Sequence, residues 1–403
     1  MKHETLAGLD IGTTKTCAVV AADGPRGLEL LGIGEAPSLG LKKGVVTDLE
    51  ETIKSIEAAT ERAERMAGVH ISDVYVAITG EHIRSTNNRG IVAVSGPDRE
   101  VVATDVRRAI DASKIINLPG DRQIIHALPR AFTVDGQDGV DDPVGMAGGR
   151  LEVDTHIVTG ATTSITNVLK CVHRAGLDPA GLVFEPLASS AATLLEEEKH
   201  VGVVLLDIGG GTTDIAVYSG GAAIYTSTLP IGGNILTNDI ALGLKTTTAQ
   251  AEQIKRQFGW GTAGDQPESA CSFKTLDGRT AKEVGTAHLR TIVAPRVVEI
   301  LRLVKNKIIE NVPRDLIFGE LVITGGGAHL RGLESAAEEV FGLPVRVGVP
   351  STIAGLTEAV RQPQYATAVG LILFGPREST NGHGRRTGSV LAKFGRWLDD
   401  HWN

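Results

Sequence analysis

A chain of 403 residues is too long for one small core and predicts two lobes or more; its 42% apolar and 22% charged residues are ordinary for a soluble globular protein, and 49 glycines suit one built from tight turns. A net charge of −8 argues against nucleic acid as a partner, because phosphate contacts need a basic face. Cys17, Cys171 and Cys271 fit neither a disulfide framework nor a metal site, and no signal-type core or apolar run of roughly 20 residues occurs, which together predict a cytoplasmic protein with buried, reduced thiols.

The chain opens with Leu6–Val20, a short apolar run closed by Asp10, a Gly12-Thr13-Thr14 turn, and a second apolar run. Cys17–Val20 and Leu28–Gly34 read as strands. Thr47–Met66 reads as a helix with Thr47 as N-cap, Glu50 completing a capping box, and a stripe of Leu49, Ile53, Ile56, Ala59, Ala63 and Met66. Val74–Ile78 reads as a buried strand. From Ile83 to Thr159 the texture changes to short strands (Ile91–Val94, Gln123–Ala127, Ala131–Val134), one helix (Thr104–Ile115) and a loop at Asp135–Gly149, which predicts an inserted α+β module. Asp141 and Asp142 in that loop could bind a cation, but solvation is the expected reading for them and for His126 and His156, each of which lacks a partner at ligand spacing. Ser164–Ala175 is an expected helix, Leu182–Phe184 a strand, and FEPLASSAATLL a helix small enough in its residues to pack closely at a lobe junction.

The central stretch is Val201–Gly221, VGVVLLDIGGGTTDIAVYSGG. Val203–Leu206 reads as a buried strand with Asp207 at its C-terminal end. Gly209, Gly210 and Gly211 are expected to turn with positive φ and bare N–H groups. Such groups, with Thr212 and Thr213 beside them, form a nest for phosphate oxygens, and a nearby carboxylate can hold Mg²⁺ through water. An ordinary hairpin with Asp207 and Asp214 solvated is the alternative. The second copy at Leu6–Val20 favours two related lobes facing one nucleotide. Beyond it lie a helix at Thr248–Phe258, an irregular stretch at Trp260–Ala281, a long helix at Val284–Glu310, and a strand at Leu321–Ile323 that runs into Gly325, Gly326 and Gly327. A last small-residue helix spans Gln364–Phe374, and Pro376–Gly388 has the composition of a disordered linker.

LDIGTTKT, LLDIGGGTTD and VITGGGAHLRGL, with the small-residue helices FEPLASSAATLL and YATAVGLILF, resemble in order and spacing the two phosphate loops, adenosine motif and connecting helices of the actin/Hsp70/sugar-kinase fold. The resemblance implies an α/β, actin-like two-lobed fold with an inserted small α+β subdomain, binding ATP and Mg²⁺. Asp10 and Asp207 would face the metal through waters. Gly12, Thr13, Thr14 and Gly209–Thr213 would cradle phosphates, with Lys15 near them. Gly325–Gly327 would pass beneath the adenosine, Glu252 and Lys255 would lie on the ribose helix, and Glu185 would orient an attacking water. No Walker P-loop occurs.

Within that fold the insert, the run LPIGGNILTNDIA (Gly232, Gly233 and Asn234), AEQIK and the tail are most similar to the FtsA family of bacterial cell-division proteins. Membership implies subdomains 1A (1–82, 160–196, 360–375), 1C (83–159), 2A (197–230, 310–359) and 2B (231–309), a linker (376–388) and an amphipathic helix (389–403). It implies filaments, binding of the C-terminal peptide of the tubulin-like FtsZ through 2B, other divisome partners, and peripheral attachment to the cytoplasmic face of the membrane at the septum, with at most weak ATPase activity. The tail ends in Asp399 and Asp400, less basic than the family's pattern. A pilus-assembly relative is the near alternative. A sugar kinase would need a further carboxylate base, and an Hsp70-like chaperone a further domain, and the chain shows neither. In the tail, Val390, Leu391, Phe394, Trp397, Leu398, His401 and Trp402 fall within an arc of roughly 140° at helical spacing, which predicts a helix lying in an anionic membrane surface.

Overall fold

The computed structural model describes residues 5–381, except 25–26, 260, 262–267, 277, 279, 314–315, 317, 352 and 356–359. The chain begins with an antiparallel meander of β1 (Thr5–Ile11), β2 (Lys15–Gly24) and β3 (Gly27–Pro37). A small ladder follows, β4 (Leu41–Lys42) with β5 (Val45–Val46), and then α1 (Leu49–Ala67). Helix α1 buries Ile53, Ile56, Ala59 and Ala63 against Ala18, Val20 and Ala36 of the meander, whereas Met66, expected in that stripe, is 56% exposed. Its N-cap is Asp48 rather than Thr47. The Asp48 carboxylate accepts from the Glu51 N–H at 3.1 Å, and the Thr47 hydroxyl is engaged elsewhere, donating to the Gly40 carbonyl at 3.0 Å.

β6 (Asp73–Ile78) runs parallel to β1 and leads into the insert, whose strands β7 (Arg84–Ala93), β8 (Arg122–Val134), β9 (Gln137–Val140) and β10 (Arg150–Ala161) form a sheet in the order β7-β10-β8-β9. Helix α2 (Ala103–Ser113) packs on it. The two short strands expected at Gln123–Ala127 and Ala131–Val134 are one strand. Pro129, which interrupts the pattern, sits opposite Thr155 where the β8–β10 register shifts, a bulge that tolerates a residue without an N–H.

After α3 (Thr162–Arg174), β11 (Asp178–Phe184) joins the first sheet beside β6, and α4 (Glu185–Thr193) and α5 (Glu196–Val201) follow. The second lobe repeats the plan: β12 (Val203–Ile208), β13 (Thr213–Ser219) and β14 (Ala222–Leu229) form a meander, with β17 (Glu320–Thr324) and β18 (Val345–Val347) parallel beyond β12. The orders β3-β2-β1-β6-β11 and β14-β13-β12-β17-β18 are the same, so the sequence repeat is a repeat of topology. Helices α6 (Gly233–Leu244), α7 (Thr248–Phe258) and α8 (Thr286–Asn311) complete this lobe, with the hairpin β15 (Ala270–Lys274) and β16 (Ala281–Gly285). Within the stretch expected to be irregular, Trp260–Ala281, the described residues Ala270–Lys274 instead form a strand paired with Ala281–Gly285; Cys271 and Phe273, alternate residues, enter the lobe's core.

Helix α9 (Leu333–Phe341), the edge strand β19 (Ala354–Gly355) beside β3, and α10 (Ala366–Asn381) close the described chain. The small residues of α4 and α10 serve as expected: a Cβ on Gly370 would collide with the Ala188 carbonyl. Helix α10 corrects the linker expectation, because Pro376–Asn381 are still helical. Leu371 and Ile372 are buried just before Pro376, so tertiary packing carries the helix past a residue that deletes one donor and crowds the preceding turn. The rest of the linker and the tail, with Val390, Leu391, Phe394, Trp397, Leu398 and Trp402, lie outside the described residues.

The insert is held to the second lobe. Ile83 and Val158 share a core with Leu205, Ala216, Tyr218 and Ala223. Ser85 donates to the Thr226 carbonyl at 2.7 Å, Asn87 Nδ2 to the Ile224 carbonyl at 3.1 Å, and His156 Nε2 lies 3.0 Å from Thr226 Oγ1. Neither insert histidine is solvated, contrary to expectation. His126 is 1% exposed, accepts the Phe184 N–H at 2.9 Å and meets Phe374 edge-on. Asp141 and Asp142 are exposed, as expected, and all three cysteines are buried and free.

Candidate functional site

In each lobe the first strand carries an acid at its penultimate position, Asp10 or Asp207, and then turns tightly into the second strand. Gly12 N–H donates to the Lys15 carbonyl at 3.0 Å, and Gly209 N–H to the Thr212 carbonyl at 2.9 Å, so the loops close in the same way. Among the described residues the N–H groups of Thr13, Thr14, Gly210 and Gly211 make no hydrogen bond, which leaves two pairs of donors. None of Gly209, Gly210 and Gly211 has the positive φ expected of them. Their need is space: a Cβ on Gly210 would collide with the Thr14 side chain, and one on Gly211 would meet Thr13, because the loops abut across the cleft.

Beside them opens a cavity of about 640 Å³. Of the residues singled out in the sequence, Thr14, Lys15, Gly209, Gly210, Gly232, Gly233, Asn234, Glu252, Lys255, Gly326 and Gly327 line it. Lys15 reaches the Gln364 carbonyl at 2.6 Å and lies over the Tyr365 ring. Sequence reasoning missed Tyr365 and Gln364 and the apolar wall of Val297, Ile300 and Leu301, three residues on one turn-spaced face of α8. The N–H groups of Gly233 and Asn234 are already engaged by the Gly209 and Gly210 carbonyls at 2.9 and 2.8 Å, so this turn braces the second loop rather than offering donors. On α7, Lys255 bridges Glu252 at 2.7 Å and the Gly233 carbonyl at 3.1 Å. Burial opposes the charge on Glu252, but bonds from Lys255, Thr237 and Arg256 outweigh it and hold its pKa at about 2.

The acids stand behind the loops, outside that lining. Asp207 is 5% exposed and accepts from Ser189 on α4 and, at 3.0 Å, from Thr367 on α10, so both connecting helices aim it. Asp10 is buried too; burial pushes it up to about 6, with Lys15 opposing and Asp207 adding to the rise. Burial, then Asp214, Asp10 and Asp207, raises Glu185, the first residue of α4, well above the usual carboxylate range. Asp214 is 1% exposed rather than solvated. Thr213 turns away from the cleft, its hydroxyl donating to the Ile231 carbonyl at 2.7 Å, and Thr212 is buried. Of the third glycine run, Gly325 has φ +80° and backs onto Asp207, Gly327 backs onto Ile208, and Gly326 faces open space. Gly325 and Gly327 thus need the lack of a side chain to pack against strand β12.

Residues 204–370 match the family model "Cell division protein FtsA", and residues 80–159 match "SHS2 domain inserted in FTSA". The chain is 42% identical to Cell division protein FtsA of Pseudomonas aeruginosa, over 94% of this chain and 90% of that one. It belongs to the FtsA family. FtsA membership agrees with the repeat of topology and with the insert between β6 and α3. Among solved structures the chain resembles the PilM-PilN type IV pilus biogenesis complex (TM-score 0.68, 20% identity, 92% of this chain and 98% of that one). It also resembles MreB5 of Spiroplasma citri bound to ADP (TM-score 0.58, 15% identity, 94% and 99%). Both likenesses show the actin-like fold. Among the described residues no helix is long and apolar enough to cross a membrane.

Proposed function

We propose that this FtsA-family chain binds ATP with Mg²⁺ between its lobes, polymerises, and tethers FtsZ filaments to the cytoplasmic face of the membrane at the division septum. The observation that carries the nucleotide reading is the pair of matched loops, each with two unengaged N–H groups, abutting beside one cavity with an apolar wall.

The residues fit a divalent cation. Asp10, Asp207, Asp214 and Glu185 are buried together, and Lys15 is the cation that offsets Asp10, Asp207 and Glu185. No three His, Cys, Asp or Glu among the described residues converge at ligand spacing, so Mg²⁺ would be held by Asp10 and Asp207 through water and by the phosphates themselves. Bound there, it would neutralise phosphate charge, while Thr14, Gly210 and their neighbours supply donors and α8 the apolar contact for a base. Titration with fluorescent ATP tests this: Asp207→Ala should weaken Mg²⁺-dependent binding about tenfold or more, and Asp141→Ala should not. Equal loss from both, or from neither, refutes it.

Tethering rests on the family and on the tail pattern. From Arg385 onward four basic and two acidic side chains give a weak attraction to anionic lipid, so attachment would need many tails on one filament. Co-sedimentation with anionic vesicles should be lost in Trp397→Asp and in a truncation after Gly388. If both variants pellet like the parent chain, the tail is not the anchor.

A further inference from the structure

A second cavity, of about 720 Å³, adjoins the first at Thr14 and Gly210 and is lined also by Thr13, Gly211, Ser38, Lys42, Lys43 and Arg256. We propose that it seats the terminal phosphate of a bound nucleoside triphosphate, with Lys42 and Lys43 as a cationic cover; the proposal rests on the nucleotide reading above.

Three cationic side chains face this space against one carboxylate, Glu252, which already accepts from Lys255 and Arg256. Lys42 and Lys43 are exposed, and among the described residues neither ammonium has an ion-pair partner. Their placement is not that of an ordinary solvated turn. β4 and β5 pair Leu41 with Val46 and Lys42 with Val45, so Lys43 and Gly44 form a two-residue turn with φ of 52° and 75°. That turn takes Asn or Gly at its first position readily, and lysine there costs roughly 1 kcal/mol.

The strained turn is clamped onto the first phosphate-type loop. Gly44 is buried and its N–H lies 3.3 Å from Thr13 Oγ1, while a Cβ there would crowd Thr79. A costly conformation held by its surroundings and carrying an unpaired charge to a cavity marks a working position. Independently, Ser38 Oγ is buried in the same wall with no hydrogen-bond partner. That hydroxyl, the free N–H groups of Thr13 and Gly211, and the two unpaired lysines call for an acceptor-rich anion, and a phosphate supplies three oxygens.

The experiment compares ATP and ADP binding to the full chain by calorimetry, for the parent, Lys42→Ala/Lys43→Ala, and Lys43→Gly. The double variant should lose about tenfold or more in ATP affinity and keep ADP affinity within about twofold. Lys43→Gly relaxes the turn while removing the charge, so a matching selective loss there excludes misfolding as the cause. Adding inorganic phosphate to the ADP-loaded chain separates the sources: uptake that needs the two lysines assigns the cavity to a released phosphate instead of an attached one. Equal losses for ATP and ADP, or no loss, overturn the proposal. A parent chain that binds neither nucleotide overturns the underlying nucleotide reading as well.

Discussion

Thr79, the first residue after β6, donates its hydroxyl to Asp214 Oδ1 at 2.5 Å, joining the first lobe to β13 of the second. Thr228 on β14 donates to the same oxygen. Burial pushes Asp214 up to about 7, the hydroxyls pull it back, and Asp207 adds to the rise. An unfolded aspartate ionises near 4, so between about pH 4 and 7 the folded chain keeps a proton that the unfolded chain has released. Stability of the ligand-free chain should therefore fall as pH rises through that window, and Asp10 adds to it with the same sign. Asp214→Asn retains an acceptor for both hydroxyls and should flatten the slope. Thermal melts at pH 5 and pH 7 check this, and parallel slopes for parent and variant would refute a bound proton.

His156 should act in the opposite sense. Asn87 Nδ2 donates to the Ile224 carbonyl, which leaves Asn87 Oδ1 as acceptor for His156 Nδ1–H at 2.7 Å and His156 Nε2 as acceptor for the Thr226 hydroxyl. Burial lowers this imidazole to about 3, so as pH falls below about 6.5 only the unfolded chain takes up the proton and stability is lost. His156→Ala should cost roughly 2–3 kcal/mol at neutral pH, from the lost packing and two stranded partners. Urea unfolding measures it, and a change under about 0.5 kcal/mol would show that the contact is not structural.

Gly325 and Gly326 should respond differently to the same methyl group. At Gly325 a Cβ collides with Asp207 and demands a left-handed backbone, so Gly325→Ala should destabilise the fold by roughly 1–3 kcal/mol. At Gly326 nothing lies within 4 Å, and the added methyl enters the cavity. Gly326→Ala should melt like the parent yet bind nucleotide more weakly. Loss of stability in both would place Gly326 in the packing rather than at the ligand.

The repeated loops were legible because two apolar runs each reach an acid just before a glycine turn, a pattern that ordinary buried strands have no packing reason to repeat. The connecting helices were legible from their small residues. The histidines were not: the partners of His126 and His156 stand 58 and 70 residues away, and nothing local marks a buried imidazole. Thr47 and Asp48 are equally fit to cap α1, and only the distant Gly40 carbonyl decides between them. The β15–β16 hairpin was missed because two inward residues in five, Cys271 and Phe273, are too short an alternation to stand out. The apolar wall on α8 was hidden because that helix is apolar on several faces, so no single stripe announces a ligand.

Strand β14 also has a mechanical consequence. The insert grips it through Ile224 and Thr226, while β13 holds it through seven paired positions from Thr213–Leu229 to Ser219–Ala222. Tension applied to the insert along this strand therefore loads those ladder bonds in shear, where they resist together instead of unzipping singly. The strand cannot stretch, so the tension passes on through Leu229 to Gly233, whose N–H is bonded to the Gly209 carbonyl of the second loop. A tug at one end of the molecule would thus be felt at the turn that faces the cleft.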